Sequence, residues 1–418
     1  MKRFCRSTAV LALAFAVLVF GSVWKTKRQF PDRVQLTDVN AVENDSVSLR
    51  LRFPIQADTR GGEKRSYRGE WTLWGIVPVK SVEVTTDGTP TVRVCGTPFG
   101  IKLYTDGVLI VGLTAVDSAY GAVNPASQAG LEIGDRLLSI NGREVTDNEQ
   151  VSRLVASSGG KTLVFRAERD GVTFEARVTP AKSLSDDRYH AGMWVRDSAA
   201  GVGMLTFYDP LTGVCGGLGH AICDRDTGMQ LPLAGGELVT ASIFDIVKGT
   251  AGEAGVLCGT FTAGTLGVLA GNCDRGVYGI LTHQPKDQGL YKIAEPYEVE
   301  IGAAKMLCTV GKEPAWYDVE IRKVAVNEQK QSMVIRITDP KLLEKTGGIV
   351  QGMSGSPLVQ NGKLIGAVTH VLVNDPTGGY AIFAKTMYEE ARRYAGTSPS
   401  SLPTSVGGVT VSVSPDAA

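Results

Sequence analysis

Gly352-Met353-Ser354-Gly355-Ser356-Pro357-Leu358-Val359 is followed, after Gln360, by Asn361-Gly362-Lys363-Leu364-Ile365-Gly366-Ala367-Val368. A glycine-rich turn thus leads into two apolar runs joined by Asn-Gly, the dipeptide that supplies positive φ at both centres of a tight β-hairpin. A Gly/Ser-rich string by itself is most often just a turn. Ahead of a hairpin, the spacing suits an exposed nucleophile. If Ser354 attacks a carbonyl, the backbone N–H groups of Gly352 and Ser354 can converge on the oxyanion. Gly355 removes bulk beside the hydroxyl, and Pro357 fixes the exit into the strand.

The loop resembles the nucleophile loop of chymotrypsin-fold peptidases. A serine hydroxyl is a weak nucleophile until a base takes its proton, so a histidine must reach it. Four histidines are available. His220 follows the glycine turn Gly216-Gly217-Leu218-Gly219 and precedes Ser354, the chain order of the chymotrypsin-like class. His190 lies in a polar linker, and His283 follows a strand without catalytic context. His370 sits on the strand after the hairpin, where it would line the substrate-binding strand. A lone histidine in a β protein is usually structural, and it is the pairing with Ser354 that favours His220 as the base. The carboxylate that holds the imidazole is not chosen by spacing: Asp339, Asp224, Asp226 and Asp245 all remain open, and aspartates more often cap helices or turns.

From Gly201 onward the pattern is rich in short β-like runs and glycine turns, with one late helical stretch at Ala384 to Tyr394. A mainly β serine peptidase domain is expected at 190–395. Upstream, Phe99-Gly100-Ile101-Lys102-Leu103, the run Gly107 to Leu113, Asn124 to Leu131 and Gly134-Asp135-Arg136-Leu137-Leu138-Ser139-Ile140-Asn141-Gly142 resemble a bacterial PDZ domain, placed at 95–182. Asn141-Gly142 is a hairpin signal, and Asn148 to Ala156 puts Val151, Leu154 and Val155 on one helical face. An extended peptide terminus would add to an open strand edge there, its carboxylate meeting the amides of Phe99, Gly100 and Ile101. Residues 29–94 read as a polar, β-containing linker region with an exposed basic loop at Arg60 to Arg65. Residues 396–418 read as a disordered tail.

At 418 residues the chain exceeds a single comfortable core. Lys+Arg 43 against Asp+Glu 43 gives no electrostatic reason to expect a nucleic-acid partner. Thr8 to Trp24 is apolar and flanked by Lys2, Arg3 and Arg6 on one side and Lys25, Lys27 and Arg28 on the other. About 17 such residues is the lower limit for crossing a bilayer core. With no small-x-small cleavage site, 1–28 is expected to be a cytoplasmic start and an uncleaved transmembrane anchor, leaving the rest extracytoplasmic. The seven cysteines show no CxxC pair and no histidine at zinc-ligand spacing, so no metal is expected and free thiols are. Acyl-enzyme chemistry calls for no cofactor.

Gly201-Val202-Gly203-Met204-Leu205-Thr206-Phe207-Tyr208-Asp209-Pro210, Leu218-Gly219-His220, Thr338-Asp339, Lys345-Thr346-Gly347-Gly348-Ile349-Val350-Gln351 running into the Ser354 loop, and Thr369 to Thr377 strongly resemble the stage IV sporulation protein B peptidase family. The resemblance runs from the anchor to about Ala384. It implies a sporulation signalling serine endopeptidase in the space between forespore and mother-cell membranes. Such an enzyme cleaves itself and a membrane-associated regulator of an intramembrane metalloprotease, triggering sigma-factor activation, with the PDZ domain implicated in both cleavages. The family's His, Asp and Ser fall on His220, Asp339 and Ser354, and that correspondence alone selects Asp339. The rival reading is a noncatalytic PDZ scaffold or checkpoint protein with a degenerate protease fold, against which the intact Ser, His and Asp set argues. Fold alone does not separate a peptidase from a hydrolase of nonprotein esters.

Overall fold

The structure, a computed structural model, describes residues 30–35, 47–51, 66–73, 77–85, 90–326 and 332–403. The apolar run Thr8 to Trp24 and the basic loop Arg60 to Arg65 lie outside the described residues. Among those described, no helix is long and apolar enough to cross a membrane.

Strands β1 (Arg33–Gln35), β2 (Val47–Leu51), β3 (Ser66–Leu73) and β4 (Val77–Thr85) form a sheet of their own in the order β1-β4-β3-β2. Val47 and Leu49, Trp71 and Leu73, and Val82 and Val84 alternate inward with the period of two that a half-buried sheet requires. Trp71 is fully buried, donates from Nε1 to the Pro31 carbonyl at 3.1 Å, and packs against the Phe30 ring at 5.2 Å. The region expected as a polar linker therefore holds a core. Charged stretches at 36–46 and 52–65 separate its first three strands, which dilutes the alternation along the sequence.

Strand β5 (Thr91–Leu113) runs for 23 residues. After it come β6 (Val116–Ser118), β7 (Gly121–Val123), α1 (Pro125–Gln128), β8 (Arg136–Ile140), β9 (Arg143–Glu144) and α2 (Asn148–Ala156). Then follow β10 (Leu163–Arg169), β11 (Val172–Val178), β12 (Ala181–Lys182), β13 (Tyr189–His190) and β14 (Met193–Tyr208). The far part of β5 joins β8 and the start of β14 in a module whose core includes Val108, Ile110, Leu137, Ile140, Val151, Val155 and Phe165. Asn141 and Gly142 take φ of 50° and 75° at the turn between β8 and β9. Asp147 caps α2 by accepting from the Gln150 N–H at 2.8 Å.

The near part of β5 and the end of β14 enter a different core with β15 (Val214–Gly217), β16 (Leu233–Val247), β17 (Val256–Cys273) and β18 (Gly276–Leu281). Pairing runs β5-β14-β15-β18-β17-β16 and back to β5, closing an antiparallel barrel. Beyond β19 (Leu290–Ile293) lie β20 (Gly302–Cys308), β21 (Ala315–Val324), β22 (Met333–Ile337), α3 (Pro340–Thr346), β23 (Pro357–Gln360), β24 (Lys363–Val371), β25 (Gly378–Phe383) and α4 (Ala384–Ala391). These strands close a second antiparallel barrel in the order β20-β21-β22-β25-β24-β23 and back to β20. β19 joins the two barrels, antiparallel to β5 and parallel to β24.

The module is thus inserted into the first barrel: the chain leaves along β5 and returns along β14. The expected boundaries, 95–182 for the PDZ domain and 190–395 for the peptidase, divide a strand that serves both cores. The crossing is marked by Gly107, whose φ of +76° and would-be Cβ, 2.7 Å from the Leu137 carbonyl oxygen, exclude a side chain. The start of the expected disordered tail is also docked, with the Gly236 N–H donating to the Pro403 carbonyl at 2.9 Å.

Trp71→Ala is expected to remove about 3–5 kcal/mol from the small N-terminal sheet. Limited proteolysis should then open residues 33–85 while both barrels stay protected. Unchanged protection of that sheet would mean that Trp71 does not hold it.

Candidate active site

Helix α3 ends on Gly347 in the left-handed region, and the chain turns through Gly348 toward the Ser354 loop. The Gln351 N–H donates to the Gly255 carbonyl at 2.8 Å, and the Leu257 N–H donates to Gln351 at 2.9 Å, so the loop is moored to the first barrel. Gly352 and Gly355 both take φ of +91°. A Cβ at Gly355 would collide with the Met204 carbonyl oxygen and the Leu218 nitrogen, which makes glycine obligatory there. Met353 is buried in the second barrel's core, and Ser356 Oγ closes the turn by donating to the Met353 carbonyl at 2.7 Å.

Strand β14 holds the loop from behind. The Met204 N–H donates to the Ser354 carbonyl at 2.9 Å, and Thr206 Oγ1 donates to the Gly355 carbonyl at 2.7 Å. With these bonds made, the N–H groups of Gly352 and Ser354 have no acceptor among the described residues. Ser354 Oγ donates to the Thr369 carbonyl at 2.7 Å. The Thr369 hydroxyl beside it is buried without a hydrogen-bond partner.

His220 follows β15 through Leu218 at φ +62° and Gly219 at φ +73°. A positive φ is costly for leucine, and its side chain offsets this by burial in the first barrel's core. Gly219 backs onto Thr369 and Ile382, placing His220 at the seam between the barrels. Its Nδ1 lies 2.8 Å from the Ala221 carbonyl oxygen. A carbonyl only accepts, so Nδ1 carries the proton and Nε2 is the bare nitrogen, the tautomer a general base requires. The His370 ring lies 4.7 Å from that of His220, centroid to centroid. Burial lowers the His220 pKa from 6.5 to about 4, with His370 adding to the shift and the Ala221 hydrogen bond opposing it. Desolvation also lowers the His370 pKa.

The structure brings Ser354, His220 and His370 to one seam, with Gly352 beside them, but no hydrogen bond joins Ser354 Oγ to His220. It does not bring Asp339 to the imidazole. Asp339 caps α3, its Oδ1 accepting from the N–H groups of Lys341 at 2.9 Å and Leu342 at 3.2 Å, and its Oδ2 from Asp318 at 3.3 Å. The helix behind Pro340 claims the carboxylate, as an N-cap does. Asp224 and Asp226 pair with Arg196, and Asp245 accepts from the Ile246 N–H. Among the described residues, His220 takes its orienting bond from a backbone carbonyl and from no carboxylate.

The expected carboxylate-binding loop also needs correction. Phe99, Gly100 and Ile101 lie inside the first barrel, paired on one edge with β14 (Gly203, Val202, Gly201) and on the other with β16 (Thr240, Val239, Leu238). Phe99 and Ile101 are buried, and neither edge is free to receive a peptide. The open edge lies elsewhere: from Met193 to Ala200, β14 pairs with β5 alone among the described strands. Helix α2 runs beside this edge. The Asn148 N–H at its start donates to Asp197 Oδ2 at 2.8 Å, and just beyond its end Gly160 lies against the Tyr189 ring. Ala191 and Gly192, which enter the strand, have N–H groups without an acceptor among the described residues. Gly192 takes φ of +76°. A glycine opening the apolar run Met193-Trp194-Val195 was the sequence signal for this loop.

A glycine-turn serine and a half-buried neutral histidine at the seam of two closed barrels define a serine peptidase domain of the double-barrel class. Residues 187–388 match the SpoIVB peptidase S55 family, and residues 122–169 match a PDZ domain. Among solved structures, the active form of the Rv3671c protease from M. tuberculosis is 15% identical, covering 49% of this chain and 77% of that one at a TM-score of 0.30. The PDZ domain of an SdrC-like protein from Listeria monocytogenes is 18% identical, covering 22% of this chain and 87% of that one at a TM-score of 0.18. A protein of Bartonella henselae named as a zinc metalloprotease is 32% identical over 109 residues, 25% of this chain and 30% of that protein. One so named in Neisseria meningitidis serogroup A is 31% identical over 188 residues, 40% of each chain. The chain thus spans less than half the length of these curated relatives. Among the described residues, no three His, Cys, Asp or Glu side chains gather as a metal site would need.

The His220 pKa makes a pH prediction. A base works while neutral, so with the folded pKa lowered to about 4, activity should persist well below pH 6.5 and fall as pH drops through about 4. The stability linked to this histidine is present in full above about pH 6.5 and declines as pH falls from there toward 4. The measurement is kcat/KM against pH. An acid limb at or above 6.5 would reveal a carboxylate beside His220 in the working enzyme.

Proposed function

We propose that the chain is a sporulation signalling serine endopeptidase that cleaves itself and a membrane-associated protein, the regulator of an intramembrane metalloprotease. It would act outside the cytoplasm, in the forespore intermembrane space, held to the membrane by Thr8 to Trp24. The family match supports this setting, and the chemistry rests on one observation: the N–H groups of Gly352 and Ser354 have no acceptor among the described residues, at a seam that also holds a neutral imidazole. Ser354 Oγ leaves the Thr369 carbonyl, turns to Nε2 of His220, and attacks the scissile carbonyl as the imidazole takes its proton. The two N–H groups receive the oxyanion, and the Ala221 carbonyl steadies the imidazolium through Nδ1. His220 then protonates the leaving amine, and water, deprotonated by the same nitrogen, releases the acyl group.

His370 would line the strand that carries the substrate backbone. The PDZ groove lies between α2 and the Met193 to Asp197 edge. A peptide would add there as a strand, with its terminal carboxylate at the amides of Ala191 and Gly192.

Ser354→Ala should abolish self-processing, a loss of about 10⁴-fold or more, while leaving the melting temperature unchanged. The check is mass spectrometry of the purified chain over time. Fragments from the variant at the wild-type rate would sink the assignment of the nucleophile.

A further inference from the structure

Arg196 and Asp197 are neighbours on the open segment of β14, and their side chains engage different parts of the molecule. Asp197 is buried and accepts from the Asn148 N–H, fixing the helix that walls the groove. Arg196 reaches into the first barrel. Its Nη1 lies 2.6 Å from Asp224 Oδ2, and its Nη2 lies 2.7 Å from Asp226 Oδ2.

Asp224 belongs to the loop that begins at His220, and its carboxylate is fully buried. Asp224 Oδ1 is occupied by the N–H groups of Asp226 and Thr227 and by Thr227 Oγ1. Oδ2 has Arg196 alone, in an ion pair whose direction leaves that oxygen without a well-formed hydrogen bond. Removing one partner of a buried pair leaves an uncompensated charge, so the Asp224 loop depends on Arg196 for its place. Nearer the base, Asn272 clamps the same loop by exchanging hydrogen bonds with both the N–H and the carbonyl of Ile222. Two residues before this clamp, the ring of His220 takes its orienting bond from Ala221. The loop also touches the PDZ module at a second point, where the tip of Met229 lies against Gly134.

The β5–β14 pairing is irregular between Arg196 and Ser198, one of three such points along the ribbon, and an irregularity of this kind re-aims the side chains beside it. We propose that Arg196 is a positioning residue for His220: a peptide with a free carboxyl terminus, added to the Met193 to Asp197 edge, sets the strand, and Arg196 passes that setting through Asp224 to the loop carrying the base. The same strand continues to Met204, which holds the Ser354 carbonyl, so base and nucleophile are both moored to the peptide edge. This rests on the peptidase reading and on the groove assigned above.

The test is the rate at which a fluorophosphonate labels Ser354 in the full-length chain. It is read with and without a pool of heptapeptides bearing free carboxyl termini, with the same pool amidated as control. In the wild type, the free-carboxylate pool should change the rate several-fold and the amidated pool should not. Arg196→Ala and Asp224→Asn should label at least tenfold more slowly and lose the response, with Arg196→Lys recovering part of both. Lys286→Ala, which breaks the exposed pair with Glu313, should stay within twofold of wild type. If Arg196→Ala does not fold, Arg196→Gln keeps the shape and removes the charge. An imidazole titration by NMR separates positioning from general loosening: His220 should move up toward 6.5 in the Arg196 variants, by an amount that does not follow their loss of melting temperature. Wild-type rate and wild-type peptide response in the Arg196 variants would overturn the proposal. A peptide-insensitive wild type that labels normally would also overturn it while leaving the peptidase reading intact. A wild type that is never labelled would overturn that reading and the proposal with it.

Discussion

The antiparallel pairing of β5 with β14 is the constraint on which the rest depends. From Met193 opposite Leu113 to Tyr208 opposite Arg93, one ribbon passes from the PDZ module into the first barrel. At one end it supplies the groove edge and part of the module's core. At the other it closes a barrel, and Met204 and Thr206 hold the nucleophile loop of the second barrel. Strand pairs are cooperative units, because each hydrogen-bonded rung fixes its neighbours and a one-residue slip would turn every side chain to the wrong face. A change of register at one end is therefore not free at the other.

The site shows how a base can be prepared without a carboxylate in contact. Desolvation removes the tendency of His220 to charge, and the Ala221 carbonyl fixes the tautomer that leaves Nε2 bare. Meanwhile Ser354 Oγ is engaged by the Thr369 carbonyl rather than by the imidazole. That hydrogen bond belongs to a resting arrangement: a neutral O–H donating to a carbonyl is worth about 0.5–1.5 kcal/mol net, a barrier that a bound substrate easily exceeds. The unpartnered Thr369 hydroxyl sits beside this exchange and marks the seam as unfinished in hydrogen-bond terms.

Much of the catalytic chemistry was legible because it is local. Glycines at 352 and 355 have positive φ and crowded backs, so the string around Ser354 carries its geometry in its own residue types, and Gly219 before His220 does the same. Only the family resemblance selects Asp339, whose local surroundings, a proline next in line and a short helix after it, make it a cap. The insertion was illegible for a different reason. β5 reads as two short runs parted by Thr105-Asp106-Gly107, and nothing in its composition says that they form one strand whose second half is shared, with Val108 and Ile110 in the PDZ core and Leu109 and Val111 in the first barrel's. Phe99-Gly100-Ile101 accordingly lie on the near half of a strand whose far half belongs to the PDZ module, and no peptide loop forms there.

Ownership of β5 can be tested by deleting residues 95–182, the boundaries a tandem arrangement would give, and measuring fluorophosphonate labelling of Ser354. Since that deletion removes a barrel strand along with the module, the insertion predicts a first barrel that does not close and a serine that is not labelled. Replacing only residues 107–195 by an Asn-Gly turn, which spares the barrel half of the ribbon and Arg196, should leave labelling measurable. Labelling of the 95–182 deletion at the full-length rate would contradict the shared ribbon and return the chain to two domains in series.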